Sequence, residues 1–93
     1  MDDINDILDV IDLYKDDYPV WHGVKVKDIF YHIYPSLTLG QCKVHKDKDG
    51  VYGYRNWAFL SKEAEQKFLE TREIGYNDWQ SGENLWVIDQ FNG

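Results

Sequence analysis

Apolar residues open the chain at helical spacing: Ile4, Ile7, Leu8, Ile11 and Tyr14 recur with aspartates between them. One apolar stripe on an otherwise acidic cylinder predicts an amphipathic helix over about residues 3–15. Asp2 and Asp3 suit its positive N-terminal end and Lys15 its other end. Asp17-Tyr18-Pro19 breaks it, because the residue before a proline is pushed out of the helical region. A second, short helix is expected over 27–33, with Val26, Ile29, Phe30 and Ile33 inward and Pro35 ending it. The period then changes from 3.6 to 2. Residues 41–45 alternate weakly as a strand, Asp49-Gly50 supplies a hairpin dipeptide, and 51–60 returns as the longer partner. Gly53 and the Arg55-Asn56 pair interrupt that alternation, which predicts a bulge. Ser61 reads as a helix N-cap, with Glu63 and Glu65 in the first turn. That helix turns Ala64 and Phe68 inward and ends near Arg72. A polar loop around Trp79 follows, and 85–91 closes the chain as a strand whose alternation sets Asp89 on the face of Leu85, Val87 and Phe91. The order α-α-β-β-α-β predicts an α+β fold, with helices packed on a small antiparallel or mixed sheet.

Composition narrows this picture. The chain has 93 residues, so residues 1–93 form one domain. A domain of this size buries only about 60% of the surface its unfolded chain exposes. Large aromatics therefore dominate the core, and Trp57, Trp79 and Trp86 are expected there. No run reaches the roughly 18 apolar residues of a membrane span. The acidic start, Met1-Asp2-Asp3, has the wrong sign for a signal or transit peptide. A single cysteine, Cys42, excludes an internal disulfide framework. A cytoplasmic protein is expected.

The net charge of −7 argues against nucleic acid as a partner, since phosphate binding needs an excess of cations. Only residues 18–48, with five lysines against Asp28 and Asp47, are locally basic. Such a stretch reads either as a solvated face or as a surface for an anionic partner. Metal chemistry lacks ligands. Cys42 and His45 have no second ligand pair, and Asp47 and Asp49 lack the rest of a calcium loop. No metal and no bound cofactor are expected.

Two segments carry a resemblance to a known family. One is Gly53-Tyr54-Arg55-Asn56-Trp57-Ala58-Phe59-Leu60-Ser61, which looks like a strand ending in Trp-Ala-x-Leu-Ser that opens a helix. The other is Asp78-Trp79-Gln80-Ser81-Gly82 followed by Leu85-Trp86-Val87-Ile88-Asp89, an Asp-Trp-x-Ser-Gly loop leading to a Trp-x-Ile-Asp strand. Both resemble the lysine acyltransferases that activate RTX toxins, and Pro19-Val20-Trp21-His22, with Phe30 and Pro35 after it, is similar to that family's N-terminal histidine segment. The resemblance spans about Tyr14 to Asp89. It implies a shortened family domain, similar to the N-terminal part of a GCN5-related acetyltransferase fold. The implied reaction is transfer of an acyl group from acyl carrier protein, the donor substrate, to an internal lysine of a protein acceptor. The implied catalytic residues are His22 and Asp89.

Those residue types suit the chemistry. A lysine with a pKa near 10.4 must lose a proton before it attacks a thioester, at a cost of about 4.6 kcal/mol at pH 7. A histidine is the side chain best matched to that task, and a carboxylate on its other ring nitrogen would fix the tautomer. On residue type alone each has a plainer reading: His22 as a surface loop residue, Asp89 as a solvated strand end. A covalent acyl-histidine intermediate would use the same pair. Two other readings keep the fold without the reaction: a binding module for a protein or an acyl carrier protein, and a small structural or regulatory protein. An apolar open edge on the last strand further predicts either a two-fold homodimer or a monomer whose edge is shielded by the N-terminal helix and its aspartates.

Overall fold

A computed structural model describes residues 4–17 and 19–92. Helix α1 spans Ile4–Asp17, a single 3-10 turn covers Pro19–Trp21, and α2 spans Val26–Leu39. Strands β1 (Cys42–Asp47) and β2 (Gly50–Leu60) form a hairpin, α3 covers Lys62–Thr71, and β3 spans Asn84–Phe91. The expected element order and the α+β class hold. The sheet has the order β1-β2-β3 and both strand pairs are antiparallel, so the mixed alternative does not apply to the named strands. The roles expected of Asp2, Asp3 and Tyr18 lie outside the described residues.

Helix α2 differs most from expectation, because it runs through Pro35 to Leu39 instead of stopping there. Proline removes one backbone donor from the ladder. Packing outweighs that loss: Ile29, Ile33, Pro35 and Ser36 are all buried. Ser36 Oγ donates to Ile33 O at 2.7 Å and Thr38 Oγ1 to Pro35 O at 3.0 Å, satisfying carbonyls around the interruption. The helix stops one turn later at Gly40, whose φ of 70° lets its own N–H and that of Gln41 turn back to Leu37 and Ser36.

The hairpin loop is Lys48-Asp49, one residue earlier than the expected dipeptide, with Gly50 already paired to Asp47. Two register shifts interrupt the sheet. Tyr52 is the extra residue of β2 between the pairs His45–Gly53 and Lys46–Val51, close to where a bulge was expected. The second lies on β3: Asn56 pairs with Asp89 but Trp57 pairs with Val87, leaving Ile88 extra. This bulge overturns the simple alternation. Leu85 and Val87 stay on the exposed face, 62% and 48% accessible, whereas Phe91 is buried. Asp89, beyond the extra residue, turns to the covered side with Phe91.

Two buried clusters lie on that covered side. One joins α1, α2 and the sheet through Val10, Ile11, Tyr14, Ile29, Ile33, Tyr54 and Phe91. The other joins α3 and the 73–83 loop to the sheet through Ala58, Leu60, Ala64, Phe68 and Trp79, with Trp86 against it. Trp79 and Trp86 are thus where they were expected. Trp57 is not: it is odd-numbered on β2, belongs to neither cluster, and lies on the open face under the Arg55 guanidinium, 5.9 Å from its ring.

The two sequence segments that stood out pack on each other. Phe59 N–H donates to Trp79 O, and Ser81 and Gly82 N–H both return to Phe59 O, at 2.8–3.0 Å. Ser81 Oγ accepts from Ser61 N–H at 3.0 Å. Gly82 lies so close to the Leu60-Ser61 backbone that a Cβ would come within 2.5 Å of Ser61 Cα. Only glycine fits there.

Candidate active site

Asp89 occupies the seam between the two clusters. Its Oδ2 accepts from Tyr14 Oη at 2.6 Å, His32 Nε2 at 2.7 Å and Asn56 Nδ2 at 3.3 Å. Asn56, fully buried and directly opposite Asp89 in the ladder, also accepts the Asp89 backbone N–H at 2.8 Å. One amide side chain therefore fixes both the backbone and the carboxylate of Asp89, next to the bulge that turns it inward. Burial, followed by the neighbouring Asp89 charge, raises the Tyr14 pKa well above its ordinary value, so its hydroxyl stays a donor.

His32 is held by ring contacts as well. It lies 5.0 Å from Trp21, 5.9 Å from Tyr14 and 6.0 Å from Trp79, centroid to centroid. A carboxylate only accepts, so Nε2 carries the proton in this contact, which in a neutral ring leaves Nδ1 with its lone pair. Nδ1 makes no hydrogen bond among the described residues. The side chains of His32 and Asp89 are 20% and 12% accessible, low enough to hold their geometry and high enough to be reached. They open into a cleft of about 430 Å³ whose other walls are Trp21, Val24, Phe68, Arg72 and Ile88.

The structure does not bring His22 to Asp89. His22 lies exposed in the turn after the 3-10 helix, its backbone N–H on Pro19 O at 3.1 Å, and its side chain makes no hydrogen bond among the described residues. Its neighbour Trp21, not His22, lines the cleft. The histidine on Asp89 is His32, which lies within the helix expected over 27–33, whereas the family resemblance implies His22. The signal was present: His32 lies three residues after Ile29 and four before Ser36, on the inward stripe of α2. Tyr14 and Asn56, by sequence a core residue and a break in alternation, both donate to the carboxylate. No group of three or more His, Cys, Asp or Glu that could hold a metal occurs among the described residues. No helix among them is long and apolar enough to cross a membrane.

A small α+β domain presenting a carboxylate-anchored histidine in an apolar cleft is an arrangement suited to group transfer to a nucleophile. Comparison with known proteins gives the class its family: residues 3–92 match the RTX toxin acyltransferase family, and the chain belongs to it. It is 38% identical over 60 residues to the leukotoxin-activating lysine-acyltransferase LtxC of Aggregatibacter actinomycetemcomitans, covering 62% of this chain and 35% of that protein. It is 25% identical over 72 residues to the RTX-II toxin-activating lysine-acyltransferase ApxIIC of Actinobacillus pleuropneumoniae, covering 76% and 45%. The leukotoxin-activating lysine-acyltransferase LktC of a Pasteurella haemolytica-like species is 32% identical over 59 residues, covering 62% and 36%. The chain thus spans less than half the length of these relatives.

Proposed function

We propose that this chain carries the catalytic centre of a protein-lysine acyltransferase that moves an acyl group from an acyl-carrier-protein thioester to an internal lysine of a protein acceptor. The observation that carries the reading is the 2.7 Å contact between His32 Nε2 and Asp89 Oδ2 at the wall of the apolar cleft. In the proposed step the acceptor's ε-nitrogen attacks the thioester carbonyl while His32 Nδ1 takes the amine proton. The C–S bond then breaks, and the proton passes from His32 to the departing thiolate. Asp89 stabilises the imidazolium formed in between. His32 takes the role that the family resemblance implied for His22. Trp21, Val24, Phe68 and Ile88 give the acyl chain an apolar wall.

Three further points belong to the same proposal. One is a cytoplasmic site of action, and another a likeness to the GCN5-related acetyltransferase fold, which would place the donor beside β3. The last is a two-fold homodimer through the edge of β3 that pairs with no described strand. Light scattering checks the dimer, for which a mass near the 11.1 kDa of one chain is the opposing result.

The reaction is tested by incubating the protein with acyl carrier proteins of several chain lengths and a lysine-bearing acceptor, then weighing both by mass spectrometry. Acyl addition by the parent protein, lost in His32→Ala and kept in His22→Ala, supports the reading. The reverse pattern returns the base to His22. Carrier binding without any transfer points to the binding-module alternative.

A further inference from the structure

The cleft has a second polar feature that the proposed proton transfer does not use. Arg72 lines it together with the dyad and also lines a neighbouring hollow of about 410 Å³ with Trp21, His32, Lys67 and Ile74. Its backbone sits in the left-handed region at φ 61°, closing α3 through an N–H bond to Phe68 O at 2.8 Å. Helix ends usually give that conformation to glycine or asparagine, which tolerate it better. Here it places a guanidinium over the Phe68 ring, 5.6 Å from the centroid.

Among the described residues, the charge there has no acidic partner. Ion pairs among the described residues are His32–Asp89, Lys46–Asp6 and Lys67–Asp78, and Arg72 is in none of them. Glu73, which shares the neighbouring hollow, does not pair with it. Arg72 is the one lysine or arginine among the residues lining the cleft. The cleft thus offers apolar walls, a histidine–carboxylate pair and one cation that stacks on an aromatic ring.

Resting on the acyltransferase reading, we infer that Arg72 binds the phosphoester of the donor's thioester arm, with the acyl chain along Trp21, Phe68 and Ile88 and the thioester carbonyl beside His32. Guanidinium is the side chain that recognises phosphate by paired hydrogen bonds. Coenzyme A and acyl carrier protein both present their thiol on a phosphopantetheine arm, so the arm's phosphoester is the shared chemistry. Arg72 is a positioning residue for this donor and takes no part in proton transfer.

The probes are S-alkyl thioethers of phosphopantetheine and of pantetheine. Neither can react, and binding is read from tryptophan fluorescence. The parent protein should bind the phosphorylated probe more tightly. Arg72→Gln should weaken that binding by roughly tenfold, as expected for one charge-assisted contact at a partly exposed site, and leave the dephosphorylated probe unchanged. Arg72→Lys should fall between. Equal binding of both probes by the parent protein, or an equal effect of Arg72→Gln on both, overturns the inference. S-alkyl coenzyme A and S-alkyl carrier protein separate the two sources. A similar Arg72 effect on each supports the arm, and an effect on coenzyme A alone assigns Arg72 to the nucleotide phosphates and overturns it. Phosphate-dependent binding without acyl transfer would sustain this inference while the catalytic reading fails.

Discussion

The turn at residues 19–25 and helix α2 each present a histidine near the same cleft, and the two are held very differently. His22 is exposed and its ring has no hydrogen-bond partner among the described residues, whereas His32 is enclosed by Trp21, Tyr14 and Trp79 and bonded to Asp89. The difference teaches that a general base is defined by what fixes its ring. A free imidazole samples many orientations and tautomers, while one tied to a carboxylate presents one nitrogen in one direction. Every member of the anchor comes from a different element: Tyr14 from α1, His32 from α2, Asn56 from β2 and Asp89 from β3.

Breaking the dyad should have the largest effect. His32→Ala and Asp89→Ala are each expected to lower acyl transfer by about 10²–10⁴-fold, with His22→Ala within a few-fold of the parent protein. Because the two groups act as a unit, the double variant should be no worse than the more damaging single one, as measured by single-turnover mass spectrometry.

Stability should separate the two faces of the sheet. Trp79→Ala empties the second cluster and is expected to cost about 3–5 kcal/mol in urea unfolding. Trp57→Ala, on the open face, is expected to cost about 1 kcal/mol or less. Similar losses would contradict the placement of Trp57. Tyr14→Phe removes one of three donors from Asp89 Oδ2. It is expected to cost about 1 kcal/mol and to reduce transfer without abolishing it.

The smallest effect concerns pH. Partial burial pulls the Asp78 pKa upward, but Lys67 and the Gly75 N–H outweigh it and hold the carboxyl below its ordinary value. A depressed carboxyl contributes stability that is present above its unfolded pKa and is lost as pH falls through the folded one. The parent protein should therefore lose slightly more stability on acidification than Asp78→Asn does, with the difference confined to the carboxylate range and reduced by salt.

Much of the fold was legible because periodicity is local. The stripe of α1, the Ser61 cap and the alternation of β2 follow from short windows of sequence. Ser61 Oγ does accept from Ala64 N–H, at 3.1 Å. Asp89 was legible as well, as an acid on a mainly apolar strand. What was not legible depended on tertiary packing. The continuation of α2 past Pro35 is decided by burial of Ile33, Pro35 and Ser36, which no local propensity encodes, and the pairing of His32 with Asp89, 57 residues away, is a tertiary contact that periodicity does not report. The Ile88 bulge depends on Asn56 facing Asp89 across the ladder, so alternation alone placed Asp89 with Leu85 and Val87. Size alone places Trp57 in the core, but beyond the Tyr52 bulge positions 55, 57 and 59 of β2 lie on the open face with Leu85 and Val87.

The central claim is that Asp89 fixes the ring of His32, and long-range ¹H–¹⁵N correlation NMR of the imidazoles at a pH where they are neutral reads this directly. The account predicts that His32 shows a single tautomer protonated at Nε2 with an unprotonated Nδ1, that His22 shows the averaged pattern of a free imidazole, and that Asp89→Ala moves His32 towards averaging. A His32 signal already averaged in the parent protein, or unchanged by Asp89→Ala, would contradict it.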